Sequence, residues 1–440
     1  MIEKSLVRIA RLLGHSVERE IFLSSATCDS RQVLPGGLFF ALKGERCDGH
    51  HFLAEVRDRG GVAAVVSHGY RGGPSCGLIL LFVDCPGEAL CHLAKEVHRR
   101  NPPYVIGVTG TVGKTTTKDF IATLFAQKYP VAKSPGNANS RIGLPLAILN
   151  RGERSRICVL EMGMSQPGDL TKLTSIAPPD FGVLTKVGFA HAENFCGLEE
   201  IATAKMELFT RVRRGVFHHS TMVYEAVARS PVTKTLYAGT SCDVDYYLRE
   251  EPSGHLFVHE GGGSGHDVHL PFTESHFREN ALCAIATARL HGLTWDEIRR
   301  GARLLTTSPG RFRLVRRGGI TYVDDAYNAS VDSMKAAFDN LPPGRKTVAV
   351  LGGMKELGVH SVRCHEEVAR YALPKTDRLI CIGKEARPMV ALFRREGKPA
   401  DLVGSLREIE EKLRETIAGG DVVLIKGSHA FGLQNLFGER

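Results

Sequence analysis

The sequence lacks any long apolar run. Its longest uninterrupted apolar segment, residues 78–83, is far shorter than the roughly 20 residues that a helix needs to cross a bilayer. The first 13 residues also lack the apolar core of a signal peptide, because charged residues interrupt them. We therefore expect a cytoplasmic protein with no stable membrane insertion.

Paired cysteine motifs and guanine-reading motifs are missing as well. The 11 cysteines include no Cys-x-x-Cys pair, so we interpret them as reduced thiols in a chain large enough to fold without disulfides. No Asn-Lys-x-Asp stretch is present, which excludes a nucleotide-switch GTPase. The net charge is +9, but the basic clusters are short and have no interleaved aromatic residues. We interpret these clusters as solvated surface and expect no nucleic-acid partner.

The chain is long enough for several domains. Two breaks rich in proline, at residues 101–103 and 308–310, divide the 440 residues. They predict domains at residues 1–101, 102–308 and 309–440.

Apolar runs alternate with helical patterns, which is typical of an α/β fold with parallel sheets covered by helices on both faces. In the middle domain we predict buried strands at 157–160 and 181–184, and a hairpin or surface loop at the glycine-rich residues 261–265. In the last domain the predicted strands are 320–323, 347–351, 379–382 and 422–425, and the predicted helices are 361–372, 385–395 and 406–417.

The most informative segment is residues 109–117, Thr-Gly-Thr-Val-Gly-Lys-Thr-Thr-Thr. It lies between an apolar run at 104–108 and a helical pattern at 118–128. A glycine-rich turn between a strand and a helix is the context of a phosphate-binding loop. The segment therefore predicts that the protein uses a nucleotide.

Four residues of this loop suit phosphate binding. Gly110 and Gly113 let the backbone turn its N–H groups toward phosphate oxygens. Lys114 supplies a positive charge, and Thr115 offers a hydroxyl to magnesium. The spacing is shorter than in the common P-loop, because Val108 stands where that loop has its first glycine.

Two further polar residues follow predicted strands, at the edge where open α/β sheets bind ligands. Glu161 comes directly after the strand at 157–160, and His191 follows residues 181–187. A carboxylate there often binds the magnesium of a P-loop nucleotide, although a lone acidic strand end is often only solvated. A lone histidine is more often a structural hydrogen-bonding residue. With the phosphate loop present, we predict that Glu161 binds a metal.

Lys205 lies in the middle of an apolar stripe at helical spacing over residues 198–212. Two interpretations remain open. Either the stem packs on the core and the ammonium reaches the rim, or the amine is desolvated and its pKa is lowered. In the second case the amine is nucleophilic, and carbamylation by carbon dioxide would turn it into an anionic metal ligand.

These motifs, in this order, resemble the central domain of the Mur ligases. The resemblance rests on residues 110–116, on Glu161-Met162-Gly163, on the turn at 188–191 and on Ala204-Lys205-Met206-Glu207. Residues 29–39 and 48–50 resemble the uridine-nucleotide domain of family members that act on D-alanyl-D-alanine. Further matches lie at residues 135–139, 309–311, 324–329, 356–358 and 426–428.

The resemblance implies a three-domain α/β fold. It implies a smaller N-terminal α/β domain that binds a UDP-sugar, a central parallel sheet of the P-loop ATPase type, and a C-terminal Rossmann-like doubly wound sheet. It also implies an ATP-dependent ligase of peptidoglycan precursor synthesis, which joins D-alanyl-D-alanine to UDP-N-acetylmuramoyl-tripeptide through an acyl phosphate. The implied cofactors are ATP, two Mg²⁺ ions and a carbamylated Lys205, and the implied state is a monomer.

Other functions remain as alternatives. Another Mur ligase or a folylpolyglutamate synthase also forms an amide through an acyl phosphate, but the synthase would not require the uridine motif at residues 29–50. A non-catalytic UDP-sugar-binding protein would have no use for the residues that are expected to bind metal.

The resemblance also implies the roles of individual residues. The implied catalytic residues are Lys114, His191 and Lys205. The implied metal ligands are Thr115, Glu161, His191 and Lys205. ATP is expected at Gly110, Thr111, Val112, Gly113, Lys114, Thr115, Thr116, Asn280, Arg311 and Asp325. The UDP-sugar peptide and the dipeptide are expected at Ser30, Arg31, Asp48, Asn137, Asn139 and Asn328.

Several positions depart from the family pattern. Val112, Gly37 and Ser140-Arg141 replace other residue types without removing a phosphate-binding or metal-binding group. Ser330-Val331 stands where Asn-Pro is usual, and Gly353 stands where aspartate is usual. These last two changes bear on the geometry of the dipeptide pocket.

Overall fold

In the part of the chain that the structure describes, three β-sheets form the framework, each built from a consecutive stretch of sequence. The structure is a computed structural model that describes residues 4–44, 47–71, 77–190 and 192–437. Within these ranges every cysteine is a free thiol, as the sequence predicts. No helix in the same ranges is both long enough and apolar enough to span a bilayer.

The N-terminal sheet has four parallel strands in the order β1-β2-β3-β4. Its second and third strands are almost entirely buried apolar residues, as expected for a parallel sheet. The strands are β1 (Ala26–Thr27), β2 (Leu38–Phe40), β3 (Ala63–Ser67) and β4 (Ile79–Val83). The helices are α1 (Leu6–Leu12), α2 (Leu53–Asp58) and α3 (Pro86–Arg100).

The central sheet has nine strands in the order β13-β12-β11-β10-β9-β8-β5-β7-β6. Its strands are β5 (Tyr104–Thr109), β6 (Val131–Lys133), β7 (Ile157–Glu161), β8 (Phe181–Leu184), β9 (Arg214–His218), β10 (Thr233–Ala238), β11 (Tyr246–Glu250), β12 (Leu256–Glu260) and β13 (His266–Asp267). Its helices are α4 (Lys114–Phe125), α5 (Gly143–Asn150), α6 (Asp169–Ile176), α7 (Leu198–Met206), α8 (Glu225–Ala228), α9 (Ser275–Leu290) and α10 (Trp295–Ala302).

Strand β5 lies between β7 and β8, so the phosphate loop that follows it leaves the middle of the sheet. The predicted strand at 104–108 is confirmed, but the helix that follows begins at Lys114 rather than at residue 118. The helix starts early because Gly113, at φ 83°, closes the loop directly onto the first helical turn.

The far end of the central sheet is not parallel. Strand β12 runs antiparallel to both β11 and β13, and the glycine-rich residues 261–265 connect β12 to β13 as a hairpin. Of the two alternatives that the sequence leaves open here, a hairpin or a surface loop, the hairpin is confirmed. The change of strand direction is not predicted, because short half-exposed strands carry little apolar pattern.

The C-terminal sheet has six strands in the order β14-β15-β19-β16-β17-β18, parallel except for β14. Its strands are β14 (Arg313–Arg317), β15 (Ile320–Asp325), β16 (Thr347–Gly352), β17 (Arg378–Ile382), β18 (Ala400–Val403) and β19 (Val422–Lys426). Its helices are α11 (Val331–Asp339), α12 (Ser361–Ala372), α13 (Arg387–Arg395) and α14 (Leu406–Thr416). The predicted strands and helices of this part are confirmed to within two residues at each end.

The last sheet contacts the central one beside the turn that follows β8. The N–H of Glu193 donates to the carbonyl of Glu356 at 3.0 Å, and the rings of Phe189 and His360 lie 4.9 Å apart. These contacts bring the carboxyl ends of the two sheets together. The boundaries predicted for the three domains stay a prediction.

Candidate active site

A cavity of about 340 Å³ lies between the carboxyl ends of the central and C-terminal sheets. Most residues expected to bind ATP line it, together with the asparagines expected in the substrate channel. The predicted site residues along its wall are Thr111, Val112, Gly113, Lys114, Thr115, Thr116, Asn137, Asn139, Glu161, Asn280, Arg311, Asp325 and Asn328. The structure therefore brings together residues that the sequence separates by more than 200 positions.

The two loop glycines are required by their surroundings. Gly110 has φ 145°, and an added Cβ would collide with Oγ1 of Thr185. Gly113 has φ 83°, and an added Cβ would lie 2.5 Å from Oδ1 of Asn280. Both backbone conformations are ones that residues with a side chain rarely adopt. The loop thus closes tightly enough for its amides and the first turn of α4 to face an anion.

Lys114 folds back over the loop. Its Nζ donates to the carbonyl oxygens of Gly110 at 2.9 Å and Thr111 at 3.0 Å. Burial lowers the pKa of Lys114, and the nearby Arg311 acts in the same direction, whereas Glu161 opposes it. An anionic ligand would compensate this buried charge, so the loop has the electrostatics of a phosphate site.

Glu161, at the end of β7, has one carboxylate oxygen held and one free. Oε1 accepts a hydrogen bond from Nδ2 of Asn139 at 2.7 Å. Oε2 is buried and accepts no hydrogen bond from the residues that the structure describes. A buried carboxylate oxygen without a donor fits a cation ligand, and the hydroxyl of Thr115 lines the same cavity. These residues fit the magnesium that the sequence predicts.

Lys205 is buried, with only 4% of its surface exposed. The interpretation in which its ammonium reaches the rim is therefore wrong. Burial lowers the pKa of Lys205 well below 10.5, and the positive charge of Lys114 lowers it further. The predicted single helix is also shorter than expected, because α7 ends at Met206 and a 3-10 turn, Glu207–Phe209, follows.

The first residue after α7 makes a tertiary contact. The carboxylate of Glu207 accepts hydrogen bonds from the backbone N–H groups of Gly168 at 2.7 Å and Thr171 at 3.0 Å. Glu207 therefore connects the end of α7 to the start of α6. The third implied catalytic residue, His191, lies outside the described residues, while its neighbour Ala190 lines the cavity.

The C-terminal sheet contributes charges at the ends of β15 and β19. Nζ of Lys426 pairs with Oδ2 of Asp325 at 2.6 Å and donates to the carbonyl of Asn328 at 3.0 Å. The guanidinium of Arg311 stacks over the ring of Tyr327 at 4.3 Å. Nε of Arg311 is buried and has no hydrogen-bond partner among the described residues. Arg311 is therefore placed to bind an anion in the cavity.

A charged cluster that the sequence did not single out forms another wall. Glu279 pairs with Nζ of Lys186 at 2.5 Å and with Nε2 of His218 at 2.8 Å. Burial alone would raise the pKa of Glu279, but His218 and Lys186 outweigh it and lower the pKa to about 2. Glu279 directly precedes Asn280 on α9. The motif around Asn280 therefore includes Glu279, but it does not predict that Lys186 and His218 are the partners of Glu279.

Lys426 lies in one of the segments that resemble the family, residues 426–428, but no role for it is predicted from the sequence. It ends an apolar strand, as Glu161 does, and the rule that polar strand ends collect at one edge applies to both.

Two departures from the family pattern, Ser330-Val331 and Gly353, bear on the dipeptide pocket. The side chain of Ser330 caps the start of α11. An added Cβ at Gly353 would lie 2.9 Å from Cβ of Glu385, so Glu385 occupies the space beside that glycine.

The residues expected to hold the UDP-sugar do not line this cavity. Ser30 donates to Oε2 of Glu55 at 2.7 Å, and the guanidinium of Arg31 forms a bidentate ion pair with the carboxylate of Asp29. Asp48 binds the backbone and ring of His50. Gly110 and Lys205 are also not among the residues that line the cavity. All the roles assigned to single residues stay predictions.

Three known domain families match consecutive parts of the chain. The family described as Mur ligase family, catalytic domain, matches residues 23–72. The Mur ligase middle domain matches residues 108–288, and the Mur ligase, glutamate ligase domain, matches residues 310–429. The matches are in the order that the sequence resemblance predicts.

Whole proteins are similar along nearly the full length. The UDP-N-acetylmuramoyl-tripeptide--D-alanyl-D-alanine ligase of Bacillus subtilis is 32% identical, over 99% of this chain and 98% of the relative. The ligase of the same name from Escherichia coli is 31% identical, over 88% of this chain and 87% of the relative.

Solved structures share the architecture. MurF ligase from Thermotoga maritima, in complex with ADP, is 30% identical, with a TM-score of 0.76 over 94% of this chain and 96% of that one. MurF from Acinetobacter baumannii has the same fold, with a TM-score of 0.82 over 99% of this chain and 98% of that one, at 24% identity. Because its domains, its full-length relatives and its fold all agree, this chain belongs to the Mur ligase family.

Proposed function

We propose that this protein is an ATP-dependent ligase that joins D-alanyl-D-alanine to UDP-N-acetylmuramoyl-tripeptide in peptidoglycan precursor synthesis. One observation carries the proposal. A single cavity joins a phosphate loop at the start of α4, the free Oε2 of Glu161 and the charges of the C-terminal sheet. Full-length relatives bearing the name of this activity support the choice of acceptor.

Amide formation from a carboxylate requires activation, because a carboxylate is a poor electrophile. The terminal phosphoryl group of ATP passes to an oxygen of the tripeptide's carboxylate, which gives ADP and an acyl phosphate. The amino group of the dipeptide then attacks the carbonyl carbon, phosphate leaves, and the nitrogen loses a proton. Positioning accounts for most of the rate, since the cavity must align three substrates and exclude water.

The chain's own residues supply the positioning. Lys114, now bonded to the carbonyls of Gly110 and Thr111, would exchange those acceptors for phosphate oxygens. Arg311, with its Nε unpartnered among the described residues, would bind the nucleotide from the opposite sheet. Thr115 and Glu161 would hold Mg²⁺, which, when bound, neutralises charge on the transferring phosphoryl group.

The remaining predicted roles extend the proposal. We assign UDP-sugar binding to the part at 1–101, ATP binding to 102–308 and dipeptide capture to 309–440. Lys205, as a carbamate, and His191 would serve a second cation. Asn280 would contact adenine, and Asn137, Asn139 and Asn328 would line the path of the peptide substrates.

A product assay tests this function. The purified protein is supplied with ATP, Mg²⁺, UDP-N-acetylmuramoyl-tripeptide and D-alanyl-D-alanine, and each substrate is omitted in turn. We expect ADP release that requires both acceptor substrates, and a pentapeptide product visible by mass spectrometry. ADP release with a folate and glutamate instead would favour the synthase alternative. No ADP release above that of buffer would reject the proposed ligase.

A loop variant connects the assay to the cavity. We expect Lys114→Ala to abolish ADP release while binding of the UDP-substrate stays intact, because the two sites are separate. Lys172→Ala removes an exposed lysine of α6 and should leave the rate unchanged. Normal ADP release by Lys114→Ala would contradict the role of the loop.

A further inference from the structure

Lys118 is a buried cation that none of the proposed catalytic steps uses. It lies on α4 and its side chain is fully buried. Its Nζ donates to the carbonyl oxygens of Ser134 at 2.8 Å and Gly136 at 2.6 Å, and lies 3.5 Å from Oδ1 of Asp119. Burying an ammonium group is unfavourable unless it is hydrogen-bonded and paired, and here two hydrogen bonds and one ion pair offset that cost.

The two carbonyls belong to a loop that contacts Glu161 at the end of β7. The N–H of Ser134 donates to the carbonyl of Val159 at 3.1 Å, and its Oγ accepts from the N–H of Glu161 at 3.0 Å. Five residues on, Asn139 donates to Oε1 of Glu161 at 2.7 Å. The carbonyl of Asn139 also accepts from the N–H of Gly163 at 2.9 Å. Residues 134–139, here called the Asn139 loop, therefore pack along the end of β7, and Asn139 binds the carboxylate of Glu161.

Lys118 connects this loop to the helix that carries the other expected cation ligand. Thr115 and Lys118 are three residues apart on α4, so they project from the same side of the helix. Thr115 presents its hydroxyl to the cavity, and Lys118, one turn later, binds the Asn139 loop. A lysine suits this place because its ammonium is a compact donor for two converging carbonyls, whereas a planar guanidinium is not.

We propose that Lys118 is a positioning residue for the cation site: it fixes the Asn139 loop to α4, so that Asn139 orients Glu161 and leaves Oε2 free. The inference rests on the proposed function only through the identity of the cation that accompanies ATP. Outer-shell groups that orient a metal-binding side chain typically change metal affinity 10-fold to 100-fold when removed. Lys118 acts one contact further out, through the backbone of the loop.

The test measures cation binding directly. Mn²⁺ replaces Mg²⁺, and electron paramagnetic resonance of free Mn²⁺ gives its affinity for the full-length protein saturated with ADP. Calorimetry gives the affinity for ADP without any divalent cation. For Lys118→Met we expect Mn²⁺ affinity to fall about 10-fold, while cation-free ADP binding changes less than about two-fold. Mn²⁺ affinity within two-fold of wild type would overturn the proposal.

Lys133→Met is the matched control. Lys133 pairs with the same Asp119, at 2.7 Å, but its side chain is 46% exposed. Lys133→Met should leave the Mn²⁺ affinity and the cation-free ADP affinity unchanged. If it weakened Mn²⁺ as much as Lys118→Met does, the effect would belong to Asp119 and the proposal would fail. If circular dichroism shows that Lys118→Met does not fold, Lys118→Gln is measured with the same expectation.

A double variant tests the route through Asn139. If Lys118 acts by placing this side chain, Lys118→Met combined with Asn139→Ala loses no more Mn²⁺ affinity than Asn139→Ala alone. Additive losses would overturn the route. Failure of the ligase assay with wild-type protein would reject the proposed function, but the Mn²⁺ measurement would still decide the role of Lys118.

Discussion

The side chain of Asn150 pairs with the backbone of Ala26 as a neighbouring strand would. Its Oδ1 accepts from the N–H of Ala26 at 2.8 Å, and its Nδ2 donates to the carbonyl of the same residue at 2.7 Å. Ala26 belongs to β1, the edge strand of the N-terminal sheet, and Asn150 is the last residue of α5. One amide therefore fixes the N-terminal sheet to the central part of the protein.

Removing this amide should loosen the N-terminal sheet. Asn150→Ala leaves the N–H and carbonyl of Ala26 without their partner at a residue that is only 3% exposed. We expect the free energy of unfolding to fall by about 1–3 kcal/mol, measured by urea titration. The KM for the UDP-substrate should rise more than kcat falls. Asn150→Asp keeps the acceptor for the N–H but turns a second acceptor toward the carbonyl of Ala26, so it should also lose stability. Equal stability of wild type and Asn150→Ala would contradict this account.

Gly110 should tolerate no side chain. Gly110→Ala would push a Cβ into Oγ1 of Thr185 and strain the backbone at φ 145°. We expect ADP release to fall below detection and ADP affinity, measured by calorimetry, to drop at least about 100-fold, because the loop amides lose their alignment. Gly197→Ala is the control, since Gly197 is extended and has open space around it. Unchanged ADP affinity in Gly110→Ala would show that the loop does not bind the phosphates.

Glu279 should make the stability depend on pH in acid. Its pKa is about 2 in the folded protein, against 4.5 ordinarily, so its contribution is complete above pH 4.5 and is lost as pH falls toward 2. A shift of this size corresponds to at most about 3 kcal/mol. We expect Glu279→Gln to be less stable than wild type at pH 6, and the difference in urea midpoint to shrink below pH 4.5.

Other carboxylates also titrate in this range, so the comparison between the two proteins is what matters. Glu279→Gln keeps the size of the side chain while removing the charge that pairs with Lys186 and His218. A stability difference that stayed constant between pH 6 and pH 3 would mean that the ionised Glu279 does not stabilise the fold.

Local patterns in the sequence predict most of the fold. Helix α12 begins and ends where predicted, because its apolar periodicity lies within one segment. Strand β14 escapes prediction because four of its five residues are exposed and three are arginines, so it reads as a solvated basic cluster. Strand β14 forms by pairing with β15, and the apolar pattern of its own residues does not predict that pairing.

The candidate site divides in the same way. Gly113, Lys114 and Glu161 are predictable because loop chemistry and strand ends are local features. The partners of Glu279 are not, since His218 lies 61 residues away along the chain and only folding brings the two together. For Lys205 the sequence offered two environments, and only the packing around α7 distinguishes them.

Lys205 should carry a carbamate. Its amine is buried, and both burial and the positive charge of Lys114 lower its pKa, which favours the neutral amine that reacts with CO₂. Its nitrogen would bond to the carbon of CO₂ and lose a proton, which yields an anion. A negative charge next to Lys114 is favourable where a second positive charge is not.

Two measurements check this prediction. With ¹³C-labelled CO₂, the NMR spectrum should show a carbamate carbon in wild type, and the signal should be absent in Lys205→Ala. We expect Lys205→Ala to lose activity by about 100-fold or more, and acetate or propionate to restore part of it by replacing the missing carboxylate. Lys172→Ala should keep both the signal and the activity. Full activity in Lys205→Ala, or an unchanged carbamate signal, would show that Lys205 is not the modified ligand.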